Sequence, residues 1–178
     1  LLEVVNAEGE KEEKELTKLT ALIYCQQIVD HPELIGNNSA SEKLDMLVDL
    51  LTNGDLSGRK VIVFTRFRTM IDIIISTLEK KKIQVTRITG AENEKQRTDN
   101  KKAFLKEEGA RVICITDAAK QGVNLQAASA MVFFDTPWSA GDYLQILGRM
   151  IRIGSKHDSV VAYHLLARDT IDERVMQV

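Results

Sequence analysis

Apolar residues recur along this chain in two alternating patterns, and the alternation predicts the order of its elements. A continuous apolar run of strand length lies at 60–65, and further segments of strand pattern lie at 84–89, 111–116, 130–135 and 160–166. Helical spacing occurs at 16–29, 44–51, 71–78, 93–108, 140–153 and 170–178. Strands that alternate with helices form parallel βαβ units, and strands that are apolar on both faces are covered by helices on both sides. The pattern predicts an α/β fold of three layers with a mainly parallel sheet of at least five strands.

Local signals set the predicted boundaries. Residues 1–15 are rich in acidic side chains and indicate a charged linker or a frayed helix start, 16–39 a helical lead-in segment, and 40–178 the α/β domain. Ser39 stands three residues before Glu42, which is the spacing of a capping box, and Gly109 is placed to cap the helix at 93–108. Because the first residue is Leu1 and not Met, we expect a piece of a longer protein.

Composition narrows the class of protein but leaves its function open. The chain has 178 residues, of which 44% are hydrophobic and 28% charged, as in ordinary globular domains. No apolar run reaches the roughly 18 residues that a membrane-spanning helix needs, so we expect no membrane partner. The net charge of -2 leaves nucleic-acid binding undecided. Cys25 and Cys114 have no paired spacing, so no disulfide and no metal site are predicted; Cys114 should be a buried hydrophobe.

Candidate chemistry is expected beyond the carboxyl ends of the strands, where ligands bind in parallel α/β sheets. Thr65, Thr89 and Thr116 end three of the predicted strands, and Arg66 and Gly90 follow two of them. Hydroxyl and backbone N–H groups at such positions suit phosphate oxygens. Threonine is also a common residue at strand ends for structural reasons alone. The pattern by itself leaves both interpretations open.

The predicted helix at 140–153 carries a second candidate site. Gln145, Arg149 and Arg152 follow one another at i, i+4 and i+7, so they share one helical face. Arginine is always charged and offers a planar fork of donors, and a transferring phosphoryl group is stabilised mainly by positioned charge. A solvated basic face fits the spacing equally well. The neighbouring face is apolar and is expected to be buried, with a glycine that permits close packing: Leu144, Leu147, Gly148 and Ile151.

Several stretches carry a family resemblance. The strings T-D-A-A-K-Q-G-V-N-L-Q at 116–126, D-T-P-W at 135–138 and Q-I-L-G-R-M-I-R-I-G at 145–154 resemble motifs V and VI of superfamily 2 helicases. More closely they resemble the Swi/Snf-type helicase-like ATPases, in the style of the bacterial and phage branch. Further similarities follow in family order: a helix ending at His31-Pro32, S-E-K-L at 41–44, motif IV at 60–67 and T-I-D-E at 170–173. The chain is similar to the second, C-terminal RecA-like lobe of that family.

The resemblance implies roles at the nucleotide for matching positions. Arg149 and Arg152 would be arginine fingers that reach the phosphates of ATP, and Gln145 would help to hold the interface between two lobes. Gly122 and Asn124 would lie near the nucleotide.

The resemblance also implies contacts with nucleic acid. Thr116, and with it Thr65, Arg66 and Gly90, would touch the phosphate backbone of duplex DNA. Asp117 would couple the two lobes. The T-D-A-A form of motif V favours a bacterial or phage origin and hence the cytoplasm, or the nucleus for a eukaryotic protein.

The family's phosphate-binding loop does not occur in these 178 residues. The sequence contains no G-x-x-x-x-G-K-[ST] string and no Asp-Glu-x-His run, which belong to the first lobe in the resembled family. We therefore expect ATP and Mg²⁺ to be held by a first lobe outside this chain, and the chain alone to be inactive. The expected partners are that first lobe, duplex DNA and a DNA-bound protein target. Lys120, where the family has glycine, and Met150-Ile151 depart from the pattern with an effect that stays open.

Two other functions remain open at this point. The chain could be a lobe of a strand-separating RNA or DNA helicase, because motif V of the RNA helicases is similar. It could also be a catalytically degenerate docking module, although the retained Gln145, Arg149 and Arg152 argue against degeneracy.

Overall fold

Helices and strands alternate along the chain as the hydrophobic pattern predicts. The structure is a computed structural model that describes residues 2–5, 11–14, 17–120, 125–148 and 161–176. The strands are β1 (Leu2–Val5), β2 (Lys11–Lys14), β3 (Val61–Phe64), β4 (Val85–Ile88), β5 (Val112–Ile115), β6 (Ala130–Phe133) and β7 (Val161–His164). The α-helices are α1 (Lys18–Asp30), α2 (Glu42–Thr52), α3 (Arg68–Lys80), α4 (Glu94–Leu105), α5 (Ala140–Leu147) and α6 (Ile171–Met176). Two short 3-10 helices, Pro32–Ile35 and Asp117–Lys120, complete this part of the chain.

The main sheet has five strands in the order β4-β5-β3-β6-β7, and every neighbouring pair is parallel. The chain enters the sheet at the central strand β3, builds β4 and β5 on one side, and then crosses to β6 and β7 on the other. The carboxyl ends of β5 and β6 therefore flank that of β3. A reversal of this kind opens a crevice at the carboxyl edge, and ligands bind in such crevices.

Alternate residues of each strand enter two separate cores, because successive side chains point to opposite faces of a sheet. Val61 and Val63 of β3 belong to a core with the apolar faces of α2 and α3, and Cys114 lies there fully buried, as predicted. Ile62 and Phe64 belong to the opposite core, which includes Phe104 of α4 and Ile146 of α5. Helices thus cover both faces, and the predicted three-layer α/β fold is confirmed.

Two predicted boundaries differ from the structure. The hydroxyl that caps α2 is that of Ser41, which accepts from the Leu44 N–H at 3.2 Å, and not that of Ser39. Helix α4 ends at Leu105, so Gly109 does not cap it. A Cβ at Gly109 would lie 1.9 Å from the Ala103 carbonyl oxygen, so close backbone approach is what requires this glycine.

The amino-terminal segments also differ from expectation. Strands β1 and β2 pair antiparallel within the stretch for which the sequence favours a linker or a helix start. Helix α1 of the lead-in segment is joined to the α/β domain by buried polar contacts. None of the described helices is long and apolar enough to cross a membrane.

Candidate functional site

The central loop of the carboxyl edge is organised by one buried carboxylate. The Thr65 hydroxyl, at the end of β3, donates to Asp135 Oδ2 at 2.5 Å, and the Arg66 backbone N–H donates to both Asp135 oxygens at 3.0 and 3.1 Å. Thr65 and Asp135 are fully buried. The Thr65 hydroxyl is therefore turned inward, where it fixes the point at which Arg66 leaves the sheet, and the phosphate contact of Thr65 stays a prediction.

The Asp135 carboxyl is held in an unusual electrostatic environment. Its burial raises the pKa of the Asp135 carboxyl, while the hydrogen bonds from Thr65 and the Arg66 backbone act in the opposite direction. Sequence analysis placed Asp135 at the end of the predicted strand 130–135 and at the start of the D-T-P-W motif, but gave its carboxylate no partner. The position of Asp135 after a fully apolar strand could have indicated a buried carboxylate. Such a carboxylate needs hydrogen-bond donors, and a neighbouring loop can supply them.

Arg66 lies at the edge on the face of an aromatic ring. Its guanidinium carbon is 4.5 Å from the centroid of the Trp138 ring, which is cation–π geometry. The Trp138 indole N–H donates to Gln26 Oε1 of α1 at 2.9 Å. The buried Arg66 Nε has no hydrogen-bond partner. Arg66 thus remains a candidate phosphate contact, and Gln26 and Trp138 join it from two distant segments.

Gly90 and Thr116 come from the loops after β4 and β5, and those loops touch. A Cβ at Gly90 would lie 3.7 Å from the Ala118 Cβ, which is ordinary contact, and Gly90 is exposed. Thr116 is 8% exposed, and its hydroxyl accepts from the Ala118 N–H at 3.4 Å. Asp117 follows at the start of the Asp117–Lys120 turn and is half-buried. The structure therefore brings Arg66, Gly90, Thr116 and Asp117 to one edge of the sheet.

The Gly90 loop is fastened by two charged side chains. Glu92 Oε2 accepts from the Thr89 N–H at 2.5 Å and from the Thr89 hydroxyl at 2.7 Å. Arg97 of α4 donates to the Thr89 carbonyl at 2.8 Å. Burial alone would raise the pKa of Glu92, but the bonds from Thr89 and the charge of Arg87 lower it overall. The loop that carries Gly90 is consequently held in one conformation before any ligand arrives.

Helix α5 is anchored by a different face from the one that the sequence predicts. Ile146 is 2% exposed and, with Tyr143, packs against Phe133, whereas Leu144 is 65% exposed. The buried face therefore consists of residues 143, 146 and 147. Gly148 is exposed, and among the described residues a Cβ there would meet only the carbonyls of Leu144 and Gln145. The rings of Phe133 and Tyr143 fix the helix on β6, and that contact decides which face turns inward.

The Gln145 side chain is exposed on α5. Helix α5 as an element contacts the Asp117–Lys120 turn. Residues Gly122, Asn124, Arg149 and Arg152 lie outside the described residues, as does the Lys120 side chain. Within the described ranges, no group of three or more His, Cys, Asp or Glu side chains could hold a metal ion.

A buried ionic cluster of Asp30, Lys43 and Asp172 lies beneath the edge. Lys43 Nζ is 2.7 Å from Asp30 Oδ1 and 2.9 Å from Asp172 Oδ2, and all three side chains are buried. Burial would lower the pKa of Lys43, but the two carboxylates raise it above its usual value. Burial and the neighbouring Asp135 and Asp172 raise the pKa of Asp30 in spite of Lys43. Sequence analysis missed this cluster, although its members come from three motifs that it had noted.

Comparisons with known proteins agree with this architecture. The helicase conserved C-terminal domain family matches residues 42–154, which is more than half of the chain. The protein CHROMATIN REMODELING 8 of Arabidopsis thaliana is 30% identical over 162 residues, which cover 84% of this chain and 14% of that protein. An uncharacterized ATP-dependent helicase of Mycoplasma genitalium is 32% identical over 157 residues, which cover 86% of this chain and 15% of that protein. The chain thus spans about one seventh of the length of these relatives.

Solved structures show the same fold. The Sulfolobus solfataricus SWI2/SNF2 ATPase C-terminal domain superposes with a TM-score of 0.70 at 26% identity, covering 89% of this chain and 66% of that one. The C-terminal part of the Fun30 ATPase domain gives a TM-score of 0.70 at 22% identity, covering 91% and 54%, and supports the fold alone. The parallel sheet, its carboxyl-edge loops and these matches agree, and the chain belongs to the helicase conserved C-terminal domain family, as a RecA-like C-terminal lobe of the Swi/Snf type.

Proposed function

We propose that the chain is the second motor lobe of an ATP-dependent translocase that moves on double-stranded DNA. The observation that carries the proposal is the carboxyl edge. There Arg66, Gly90 and Thr116 lie together, and the Asp117–Lys120 turn beside them packs against the anchored helix α5. Helix α5 leads directly into the segment that holds Arg149 and Arg152. One rigid edge would therefore present both a phosphate-binding surface and the two arginines.

The ATP site would be completed across a cleft by residues of this lobe. ATP and Mg²⁺, held by a first lobe, would supply the phosphoryl group and the charge that neutralises its oxygens. Arg149 and Arg152 would add fixed positive charge where negative charge develops, which is the main source of catalysis in phosphoryl transfer. Gln145, exposed on α5 and four residues before Arg149 in sequence, would bind at the interface between the lobes. The anchoring of Ile146 would keep these groups from moving relative to the sheet.

The DNA site would bind one strand through its phosphates. Arg66 offers a guanidinium at the edge, and Gly90 and Thr116 add backbone and hydroxyl groups from the neighbouring loops of the same edge. Contacts of this kind read no base edges, so they predict weak sequence preference and strong salt dependence. Asp117 starts the turn that packs against α5 and would couple DNA binding to closure on ATP.

The proposal is tested by the ATPase rate of the two-lobe parent protein. The rate would be measured without nucleic acid and with duplex DNA, single-stranded DNA or RNA. Arg152→Ala would be compared with Lys102→Ala, which removes an exposed cation in the last turn of α4, before the amino end of β5 and so away from the carboxyl edge. We expect stimulation by duplex DNA, a loss of about 10³-fold in turnover for Arg152→Ala, and no loss for Lys102→Ala. DNA binding by Arg152→Ala should survive.

Other outcomes would favour the remaining functions. Stimulation by RNA or single-stranded DNA alone would indicate a strand-separating helicase. An inert wild type, or full activity of Arg152→Ala, would indicate a docking module that retains the motifs without their chemistry.

A further inference from the structure

We propose that Gln26 and Trp138 are positioning residues for Arg66, and that together they hold its guanidinium in place for a DNA phosphate. The inference rests on the proposed function for its ligand, but the arrangement itself is a feature of the fold. Gln26 belongs to α1, Trp138 to the loop before α5, and Arg66 to the loop after β3. Three segments that are distant in sequence thus contact one another in series, Gln26 with Trp138 and Trp138 with Arg66.

The first step is the fixed position of Gln26. Gln26 and Asp30 are one helical turn apart on α1, and both are fully buried. Asp30 Oδ1 binds Lys43 Nζ at 2.7 Å, and the Asp30 carbonyl accepts from the Ser41 hydroxyl at 2.6 Å. These two bonds attach the carboxyl-terminal turn of α1 to the start of α2. These bonds hold the inward face of α1, which includes Gln26, against the start of α2.

The second step is the orientation of the ring. The Gln26 amide oxygen accepts from the Trp138 indole N–H at 2.9 Å. This hydrogen bond lies in the plane of the indole, so it restrains the orientation of the ring as well as its position. Trp138 is half-buried, so one face of the ring is available to Arg66. A phenylalanine at the same place would keep a ring but would lose this anchor.

The third step is what the ring does for Arg66. The guanidinium lies 4.5 Å from the ring centroid, and its attraction to the ring uses the face of the guanidinium. Hydrogen bonds from a guanidinium lie in its plane, so stacking leaves the planar donors free for an anion. The described residues give the Arg66 side chain no hydrogen-bond acceptor. The arginine is thus held in one position while its donors stay available.

The electrostatics favour an anionic ligand at this position. Asp135 accepts from the Arg66 backbone, and not from its side chain, in the hydrogen bonds at this loop. The buried Nε lacks a partner, so part of the guanidinium has lost water without gaining an acceptor. The charge of Arg66 acts on the nearby Asp135 carboxyl, whose pKa it lowers, but a phosphate at the planar edge would supply the hydrogen-bond acceptor that Asp135 does not provide. Lysine could not reproduce this arrangement, because an ammonium group has no planar face to stack with its donors free.

The test measures duplex DNA binding by the two-lobe protein over a series of salt concentrations. The variants are Arg66→Gln, Gln26→Leu, Trp138→Phe and the double variant Arg66→Gln with Gln26→Leu. The matched control is Gln27→Leu, because Gln27 is the next residue on α1 and the Trp138 indole N–H donates to Gln26. Arg66→Gln should weaken binding about tenfold and reduce the salt slope by about 0.9, the loss of one phosphate contact. Gln26→Leu and Trp138→Phe should each weaken binding about threefold to fivefold, the range of one cation–π contact.

The double variant shows whether Gln26 affects DNA binding through Arg66 or only through the stability of the fold. If Gln26 acts through Arg66, then Gln26→Leu causes no further loss in the Arg66→Gln background. Independent, multiplied losses would overturn the proposal, as would wild-type affinity in Gln26→Leu. An unchanged salt slope in Arg66→Gln would also overturn it while the proposed function stands. Failure of the wild type to bind duplex DNA at all would overturn the proposed function, and this inference with it.

A second readout requires no DNA. Trp138 is the single tryptophan of the 178-residue chain, so the intrinsic fluorescence of the chain reports its surroundings. Gln26→Leu should shift the emission to longer wavelength, because the released ring becomes more exposed to water, and Gln27→Leu should leave it unchanged. Identical emission from the wild type and Gln26→Leu would show that Gln26 does not orient the ring.

Discussion

The buried cluster of Asp30, Lys43 and Asp172 makes the substitution Lys43→Met the sharpest test of the structure. Lys43 bonds to both carboxylates at 2.7 and 2.9 Å, and the three side chains come from α1, α2 and α6. Methionine has a similar length and no charge. The substitution therefore leaves two buried carboxylates without the ammonium group that they share.

The expected loss of stability follows from this geometry. Removing one partner of a buried ion pair costs about 3–5 kcal/mol, because the remaining charge is uncompensated. For a domain of this size, each kcal/mol lowers the melting temperature by about 2–4 °C. We therefore expect a melting temperature about 10 °C below that of the wild type, within the range that these two relations give.

The loss should also depend on pH, and its sign can be derived. The pKa of Asp30 is already raised in the folded chain, and without Lys43 it rises further. A carboxyl with a raised folded pKa destabilises the fold while it is ionised. That penalty is complete above the folded pKa and disappears as the pH falls below the unfolded value of 3.8. The gap between the wild type and Lys43→Met should therefore narrow as the pH falls from 7 towards 4.

Urea unfolding of both proteins at several pH values measures this gap. Lys102→Met, at an exposed position in α4, is the matched control and should change stability by no more than about 0.5 kcal/mol. Adding Asp30→Asn and Asp172→Asn to Lys43→Met should recover part of the loss, because the uncompensated charges are gone. A loss below about 1 kcal/mol, or a loss that is the same at every pH, would refute the ionic account of this cluster.

Three further predictions test the core and the edge. Burial raises the pKa of Cys114 to about 12, so a thiol-reactive dye should label exposed Cys25 alone in the folded chain and both thiols in urea; equal labelling in the folded chain would contradict the described core. Glu92→Gln should cost about 1 kcal/mol at pH 7 after allowance for screening by water; because the folded pKa is lowered, urea unfolding should show the deficit disappearing as the pH falls through that pKa, below 4.5, and a constant deficit would count against the charged bonds. Thr65→Val removes the hydroxyl donor of buried Asp135 and should cost about 1–3 kcal/mol in the same assay, so wild-type stability would show that the bond is dispensable.

The fold could be predicted from the sequence because its strands are buried on both faces. Continuous apolar runs such as Val61–Phe64 and Ala130–Phe133 occur where helices cover both sides of a parallel sheet, and the structure confirms them as β3 and β6. The sequence did not decide between two neighbouring residues that can each cap a helix. Ser39 and Ser41 can each cap a helix, and the bond from Ser41 to the Asp30 carbonyl, eleven residues away in sequence, favours Ser41.

The candidate site could be predicted only in part, because its contacts are long-range. The strand exits gave Arg66, Gly90 and Thr116 at one edge, since parallel strands end together. The inward turn of Thr65 depends on Asp135, which is 70 residues away, and no local pattern contains that bond. The buried face of α5 depends likewise on the ring of Phe133, which turns residues 143, 146 and 147 inward where helical spacing alone favours Leu144.

Helix α1 also shows that local spacing does not predict which residues are buried. Its mixed sequence gave an apolar face, but its buried residues are the polar Gln26 and Asp30. Their burial makes sense only with Trp138 and Lys43 as partners, and both come from other elements. A polar residue inside a helix is therefore the kind of feature that sequence spacing misplaces and tertiary structure explains.

The central claim is that this lobe works in a motor that moves along duplex DNA without separating its strands. The most direct measurement is ATP-dependent displacement of a third strand from a DNA triplex by the two-lobe protein, with a labelled duplex in the same reaction to detect unwinding. The account predicts that the third strand is displaced while the duplex stays paired, and that Arg152→Ala displaces nothing although it still binds. Separation of the duplex strands, or displacement that survives Arg152→Ala, would contradict it.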